Sequence, residues 1–171
     1  SEHFSDLLET LKVRGGHVAL IGPTSYEWIL SYFGTVNSGS VAVPLDASLP
    51  AADVCELVDR ADAVVLVADE ARKDVLEAAR IQCPKLRYLI SMQKTEDGDG
   101  ILALPKLMEM TLEEMEPGTG AKADLQPDQL ASILFTSGTT GKSKGVMLTH
   151  RNLAENATCL DMKFPERSVL L

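Results

Sequence analysis

Apolar residues in the first half of the chain come in short runs, and helical patterns fill the spaces between them. The runs cover residues 17–21, 41–45, 63–68 and 86–90, and each has the length and composition of a buried strand. The run at 63–68 contains no polar side chain, as expected for a strand covered on both faces. Strands of this kind that alternate with helices predict a parallel sheet.

The segments between these runs carry apolar residues at every third or fourth position, which predicts amphipathic helices. Thr24 and Glu27 predict a capping box at the start of the second helix. Strand–helix alternation with right-handed crossovers predicts a doubly wound, mostly parallel α/β sheet flanked by helices. The expected inward positions in the four helices are Phe4, Leu7, Leu8 and Leu11; Trp28, Ile29, Tyr32, Phe33 and Val36; Val54, Leu57, Val58 and Ala61; and Ala71, Val75, Leu76 and Ala79.

The 171 residues fit one domain with three regions. Residues 1–91 form the predicted strand–helix scaffold, and 92–127 hold a polar loop, a short helix near 104–115 and a linker rich in Pro, Gly and charge. Residues 128–171 contain strands at 131–135 and 146–148, and a helix capped by Thr149 with Leu153, Ala157 and Leu160 on one face. The last four residues resemble the start of another strand.

A polar loop joins the two strands of this third region. Residues 136–145 comprise five hydroxyl residues, three glycines and two lysines. Glycine lets backbone N–H groups approach an oxyanion, hydroxyls add donors, and lysine adds charge, so the loop suits a polyphosphate. Ordinary surface loops share this composition, but a flexible linker would not need a predicted strand on each side.

The charge pattern also favours an anion at this loop. The chain has a net charge of −9, yet no Asp or Glu occurs from residue 129 to 154, where Lys142, Lys144 and Arg151 lie. This window is a local positive region in an acidic protein. The helix that starts at Thr149 is expected to add partial positive charge beside the loop, with His150 as an ordinary first-turn residue.

Composition and spacing argue against several other classes of protein. No apolar run approaches the roughly 20 residues of a membrane span, and the first residues lack a secretory pattern, so a cytoplasmic location is expected. Cys55, Cys83 and Cys159 are odd in number and lack a histidine pattern, so we expect buried small residues and no metal site. The acidic composition also predicts no nucleic-acid partner.

A P-loop is the nearest alternative for the loop itself. Residues 136–143 match the P-loop pattern at every place but the first, where Thr136 replaces glycine. A P-loop lysine opens a helix, however, whereas Lys144 and Gly145 lead into β-favouring residues 146–148. The sequence context therefore disfavours a P-loop.

Residues 136–152, TSGTTGKSKGVMLTHRN, closely resemble the phosphate-loop signature of the adenylate-forming (AMP-binding) superfamily. That superfamily includes acyl-CoA synthetases, adenylation domains of non-ribosomal peptide synthetases, and luciferases. A second resemblance covers residues 16–25 and continues to 45, which match the start of the family's scaffold in the same order. The family usually has proline where this chain has Ser143, so we expect a less pre-organised loop and weaker binding, with the site retained.

The resemblance implies roles for the loop residues. Lys144 would make an ionic contact with the phosphates of ATP. The loop that wraps those phosphates would comprise Thr136, Ser137, Gly138, Thr139, Thr140 and Gly141.

The resemblance also implies a reaction. ATP, with Mg²⁺, and a carboxylate would give an acyl-adenylate and pyrophosphate, and the acyl group would pass to coenzyme A. Residues 145–152 are most similar to the acyl-CoA synthetase branch, which includes long-chain fatty-acid–CoA ligases. A peptide-synthetase adenylation domain and a non-catalytic nucleotide-binding module are the alternatives.

Several elements that complete the family's site are missing from these residues. These are the adenine and magnesium motif, the ribose aspartate, the hinge and the C-terminal lysine. We therefore expect an N-terminal fragment of a larger enzyme, inactive alone, with no catalytic residue and no metal ligand of its own. An unpaired sheet edge would allow association with a second copy.

Overall fold

The computed structural model describes residues 2–114, 123–136 and 143–158. Seven strands form one sheet in the order β5-β4-β3-β1-β2-β6-β7, parallel throughout except for the antiparallel pair β6–β7. The strands are β1 His17–Ile21, β2 Val41–Leu45, β3 Ala63–Ala68, β4 Tyr88–Ser91, β5 Ile101–Ala103, β6 Leu130–Thr136 and β7 Lys144–Thr149. The helices are α1 Glu2–Thr10, α2 Tyr26–Asn37, α3 Ala51–Arg60, α4 Lys73–Gln82, α5 Leu104–Glu114 and α6 His150–Thr158, with a 3-10 turn at Glu70–Arg72.

Helices cover both faces of this sheet, which confirms the predicted mostly parallel α/β architecture. On one face, α3 and α4 pack over the sheet through Val54, Val58 and Leu76. The other face carries the cluster formed by α1, with Phe4 and Leu8 at 0% exposure, together with α2 and α5. Burying apolar side chains on both faces removes them from water and holds the three layers together.

The outward face of α2 contradicts part of the predicted apolar stripe. Ile29 is 43% exposed and Phe33 52% exposed, so the expectation that they lie in the core is wrong. The helix instead buries Ser31 and Thr35. The Thr35 hydroxyl donates a hydrogen bond to the Ser31 carbonyl at 2.7 Å. These small side chains let the helix approach the sheet closely, although the Ser31 hydroxyl has no hydrogen-bond partner among the described residues. Hydrophobicity alone does not reveal this packing.

The N-terminus of α2 is capped one residue later than the sequence predicts. Ser25 has an extended backbone (φ −125°), and its hydroxyl accepts a hydrogen bond from the Trp28 N–H at 3.2 Å. Ser25 thus serves as the N-cap, so the proposed capping box of Thr24 with Glu27 is wrong. Two adjacent hydroxyl residues compete for the cap, and the backbone selects the one directly before the first helical residue.

The fourth predicted helix, with Ala71, Val75, Leu76 and Ala79 as its inward positions, begins with a tighter turn. Asp69 accepts a hydrogen bond from the Ala71 N–H at 2.9 Å and caps the 3-10 turn that precedes α4. Within that turn the 3.6-residue period does not hold. Ala71 is therefore exposed, contrary to prediction, whereas Val75 and Ala79 are buried as expected.

Strand β5 was not predicted, because it falls in the region expected to be loop and short helix. Three residues are too few to show a pattern, and tertiary pairing with β4 defines the strand. The Asp97 carboxylate accepts a hydrogen bond from the Ala103 N–H at 2.8 Å, which closes the preceding loop onto the strand. Helix α5 follows directly, close to the predicted range.

Two of the three cysteines lie in the described part of the chain, and both are buried free thiols, as predicted. Burial raises the pKa of the Cys83 thiol to about 12, so this group is a poor nucleophile. Cys159 lies outside the described residues. Among residues 2–114, 123–136 and 143–158, no helix is long and apolar enough to cross a membrane.

Candidate functional site

The candidate site lies at the loop end of the β6–β7 hairpin. The two strands pair antiparallel, and Thr136 at the end of β6 faces Lys144 at the start of β7. The structure thus brings together the two predicted site residues that it describes. The other five, Ser137, Gly138, Thr139, Thr140 and Gly141, lie outside the described residues.

A buried contact fixes the position of β6 in the sheet. The Ser132 hydroxyl donates to the Ala42 carbonyl on β2 at 2.8 Å, and Ser132 is fully buried. Because β6 runs parallel to β2, Thr136 emerges at the same edge where the carboxyl ends of β1, β2 and β3 lie. This is the edge at which doubly wound sheets bind their ligands.

Strand alternation separates the two faces of the hairpin. Ile133 and Phe135 pack into the apolar cluster beneath α3 and α4. Side chains alternate along a strand, so Thr136 and its partner Lys144 belong to the opposite face. Lys144 is exposed and forms no ion pair with any residue that the structure describes, which leaves its ammonium available to an anionic ligand.

The charge around the hairpin differs from the sequence expectation. Arg151 does not add free positive charge, because it pairs with Asp128 at 2.9 Å and thereby lowers the pKa of that carboxyl group. A different cation lies close to the loop: Arg60, in the last turn of α3, donates to the Ser143 carbonyl at 2.8 Å. No motif marks Arg60, which is 83 residues away in sequence, and only the fold could reveal it.

Helix α6 is capped as predicted, but its N-terminus lies at the opposite end of β7 from the loop. The Asn152 N–H donates to the Thr149 hydroxyl at 3.2 Å, and the Thr149 N–H donates to the Asn152 side chain at 3.0 Å, which is a reciprocal cap. Five residue steps of β7 place Thr149 about 17 Å from Lys144. The helix N-terminus therefore does not lie beside the loop, and the expected contribution of its dipole is wrong.

The first N–H groups of α6 are also occupied. The His150 N–H donates to the Gln129 carbonyl at 3.1 Å, and the Arg151 N–H donates to the Pro127 carbonyl at 2.8 Å. Burial lowers the pKa of the His150 imidazole, which favours its neutral form. His150 is a first-turn helix residue, as predicted, and it belongs to the scaffold.

The predicted apolar face of α6 is confirmed only in part. Leu153 packs against the cluster beneath α1 and α2. Ala157 is exposed among the described residues, contrary to prediction. Leu160 lies outside them.

The segment after the loop distinguishes a P-loop from the alternative. A P-loop lysine begins a helix whose N–H groups cradle the phosphates. In that pattern the lysine would be Lys142, which lies outside the described residues. Strand β7 begins two residues later at Lys144, and the next helix starts only at His150. The P-loop hypothesis is therefore wrong.

Comparisons with known proteins agree with this geometry. A family model described as AMP-binding enzyme matches residues 1–171. The chain is 30% identical to a substituted octahydroindenyl-propanoyl:CoA ligase of Rhodococcus jostii (strain RHA1), over 86% of this chain. It is 29% identical to long-chain-fatty-acid-CoA ligase 5 of Mus musculus, over 87% of this chain.

A solved structure shares the fold. The anthranilate CoA ligase AuaEII, crystallised with anthranoyl-AMP, superposes with a TM-score of 0.83 and 25% identity over 93% of this chain. The chain spans 30% of that protein, and 30% and 23% of the Rhodococcus and mouse relatives. The match to the family model over its whole length shows that this chain belongs to the AMP-binding enzyme family.

Proposed function

We propose that the full-length protein is an ATP-dependent acyl-CoA synthetase and that this chain supplies its phosphate loop. The observation that supports this most directly is the pairing of Thr136 with Lys144 at the base of a hydroxyl- and glycine-rich loop. The pair lies at the carboxyl edge of a mostly parallel sheet in a member of the AMP-binding family. The polar loop, its position at the carboxyl edge and the family membership all suit a triphosphate ligand.

The loop would act by electrostatics and positioning. Lys144 would contact the β and γ phosphates, with the Thr136 hydroxyl and the loop residues 137–141 as donors around them. Holding the triphosphate in this way would present the α phosphorus in line with the attacking carboxylate. The same donors would offset the negative charge that builds up on the leaving pyrophosphate.

In the part of the chain that the structure describes, no group of three or more His, Cys, Asp or Glu side chains could hold a metal ion. The Mg²⁺ that accompanies ATP would keep waters and phosphate oxygens among its ligands, and we assign no ligand for it to these residues.

Coenzyme A is the acceptor that the sequence favours. Residues 145–152 are most similar to the acyl-CoA synthetase branch, and the two relatives above are both named CoA ligases. An adenylation domain would perform the same first step but would pass the acyl group to a carrier protein. The identity of the thiol that accepts the acyl group therefore distinguishes an acyl-CoA synthetase from an adenylation domain.

Carboxylate-dependent exchange of pyrophosphate into ATP tests the proposal. The full-length protein is expected to catalyse this exchange with at least one member of a panel of fatty, aromatic and amino acids. Addition of coenzyme A is then expected to give an acyl thioester detectable by mass spectrometry. Exchange with no thioester would favour the peptide-synthetase alternative, and absence of exchange across the whole panel would favour a non-catalytic module.

Ser143→Pro is expected to lower the KM for ATP by about 2- to 5-fold. Proline restricts the unbound loop, and such restriction contributes about 0.4–1 kcal/mol where the native backbone accepts the ring. Steady-state kinetics at saturating carboxylate would measure the change. Ser143→Ala is the matched control, because it removes the hydroxyl without restricting the backbone, and it is expected to leave the KM unchanged. A strong loss of activity in the alanine variant would show instead that the hydroxyl is itself a ligand.

A further inference from the structure

We propose that Arg60 is a positioning residue for the phosphate loop, holding together the two ends from which residues 137–142 emerge. The inference rests on the proposed function, since it concerns the same loop. Arg60 belongs to α3, far from the loop in sequence, and its side chain is 37% exposed. It is not a catalytic residue, because its contacts are with the protein's own backbone, an aromatic ring and the Glu56 carboxylate.

The first contact is at the end of the loop that leads into β7. An Nη atom of Arg60 donates to the Ser143 carbonyl at 2.8 Å, which is short and charge-assisted. Ser143 lies directly before Lys144, the residue proposed to contact the phosphates. A bond to its carbonyl therefore restricts the backbone that carries the Lys144 side chain.

The second contact is at the other end of the loop. The Arg60 guanidinium lies over the Phe135 ring, with its central carbon 5.5 Å from the ring centroid. Phe135 directly precedes Thr136, so the same planar group contacts the chain on both sides of the loop. A guanidinium over an aromatic face is attractive by roughly 0.5–1 kcal/mol at exposed sites.

The hairpin is shaped to accept this stack. Gly145 is the cross-strand partner of Phe135, and a Cβ placed on it would come within 3.4 Å of the Phe135 ring and 3.1 Å of the Ile133 side chain. The Ile133 contact would be tight, whereas 3.4 Å from the ring is ordinary van der Waals contact. The Phe135 ring thus packs over Gly145, and the Arg60 guanidinium lies over the ring. The order is thus Gly145, Phe135, Arg60, from the hairpin outward to α3.

Helix α3 gives Arg60 a fixed base. Val54, Leu57 and Val58 bury their side chains against the sheet, with exposures of 0%, 5% and 1%. Glu56, one turn earlier, lies 3.6 Å from the Arg60 guanidinium, but such exposed pairs contribute little. Both ends of the loop are therefore held by a rigid helix. The backbone at Ser143, which a proline ring would otherwise restrict, is restrained instead by the hydrogen bond from Arg60.

Kinetics of the full-length protein test the proposal. Arg60→Met keeps an apolar chain over Phe135 but removes the donor and the charge, and it is expected to raise the KM for ATP about 3- to 10-fold, the range for one lost hydrogen bond. The KM for the carboxylate is expected to stay unchanged. The KM for ATP of Arg60→Lys, which retains a donor, is expected to lie between the values of the parent and of Arg60→Met. Glu56→Gln is the control, because it removes only the exposed ion pair, and its KM for ATP is expected to match the parent value.

A second measurement does not depend on activity. Trypsin cleaves after Lys142 and Lys144, and mass spectrometry can follow cleavage at these two bonds. Arg60→Met is expected to accelerate cleavage there relative to Glu56→Gln, with the melting temperature of the two variants within about 3 °C. Unchanged cleavage would show that Arg60 does not restrain the loop. Faster cleavage with an unchanged KM for ATP would show that the restraint exists but does not affect the use of ATP.

These failures differ from failure of the proposed function. If Lys144→Met also leaves the KM for ATP unchanged, the loop does not bind phosphate and the proposed function is wrong. If Lys144→Met impairs ATP use while Arg60→Met does not, only the role of Arg60 is overturned.

Discussion

Lys144→Met is expected to lower kcat/KM for ATP by about 10- to 100-fold in the full-length protein. A hydrogen bond to a charged group contributes about 1.5–3 kcal/mol, and 1.36 kcal/mol corresponds to a factor of ten in rate. Methionine preserves the length of the side chain and removes only the ammonium. Because Lys144 is exposed and starts an edge strand, the melting temperature is expected to change little. Initial rates at varied ATP would measure the loss.

Arg151→Met is the matched control for this prediction. It also removes one positive charge from the acid-free window, but Arg151 lies at the far end of β7, paired with Asp128 at 2.9 Å. Its KM for ATP is therefore expected to equal the parent value. An equal loss in both variants would mean that the window acts only through its overall charge. No loss in either would remove the role proposed for Lys144.

The scaffold could largely be predicted from the sequence because its signals are local. Strand β3 consists entirely of apolar residues, and burial on both faces leaves such a run few other structures to adopt. The candidate phosphate loop was predicted for a similar reason, because hydroxyls, glycines and lysines between two strands indicate their chemistry without reference to the rest of the chain. The structure shows Thr136 and Lys144 as cross-strand partners, and their contact with phosphate stays a prediction.

Features set by long-range packing could not be predicted. Arg60 lies near the loop only because the fold brings the last turn of α3 to Phe135 and Ser143, and a single arginine at a helix end carries no local signal. The position of α6 likewise depends on the length of β7, which was predicted as three residues and has six. An apolar pattern also cannot show that α2 buries Ser31 and Thr35 while Phe33 stays exposed, since close helix–sheet approach decides it.

Gly22→Ala is expected to destabilise the protein by roughly 2–5 kcal/mol, combining backbone strain with overpacking. Gly22 follows β1 with φ at +153°, and a Cβ there would lie 2.5 Å from the Asp69 Cβ. Asp69 cannot move aside, because its N–H donates to the Ile21 carbonyl at 2.9 Å and its carboxylate accepts from the Gln93 amide at 2.7 Å. Thermal unfolding followed by circular dichroism, with the soluble yield, would measure the loss.

Gly15→Ala separates the two causes. Gly15 also has positive φ, at +80°, but a Cβ there would meet nothing within 4 Å, so only the conformational cost of about 1–2 kcal/mol remains. The difference between the two variants is then the cost of forcing β1 and β3 apart where both strands end. If the two variants were equally destabilised, the Asp69 side chain would yield to a Cβ at position 22. The carboxyl edge of the sheet, from which the proposed phosphate loop extends, would then be less rigid than its hydrogen bonds imply.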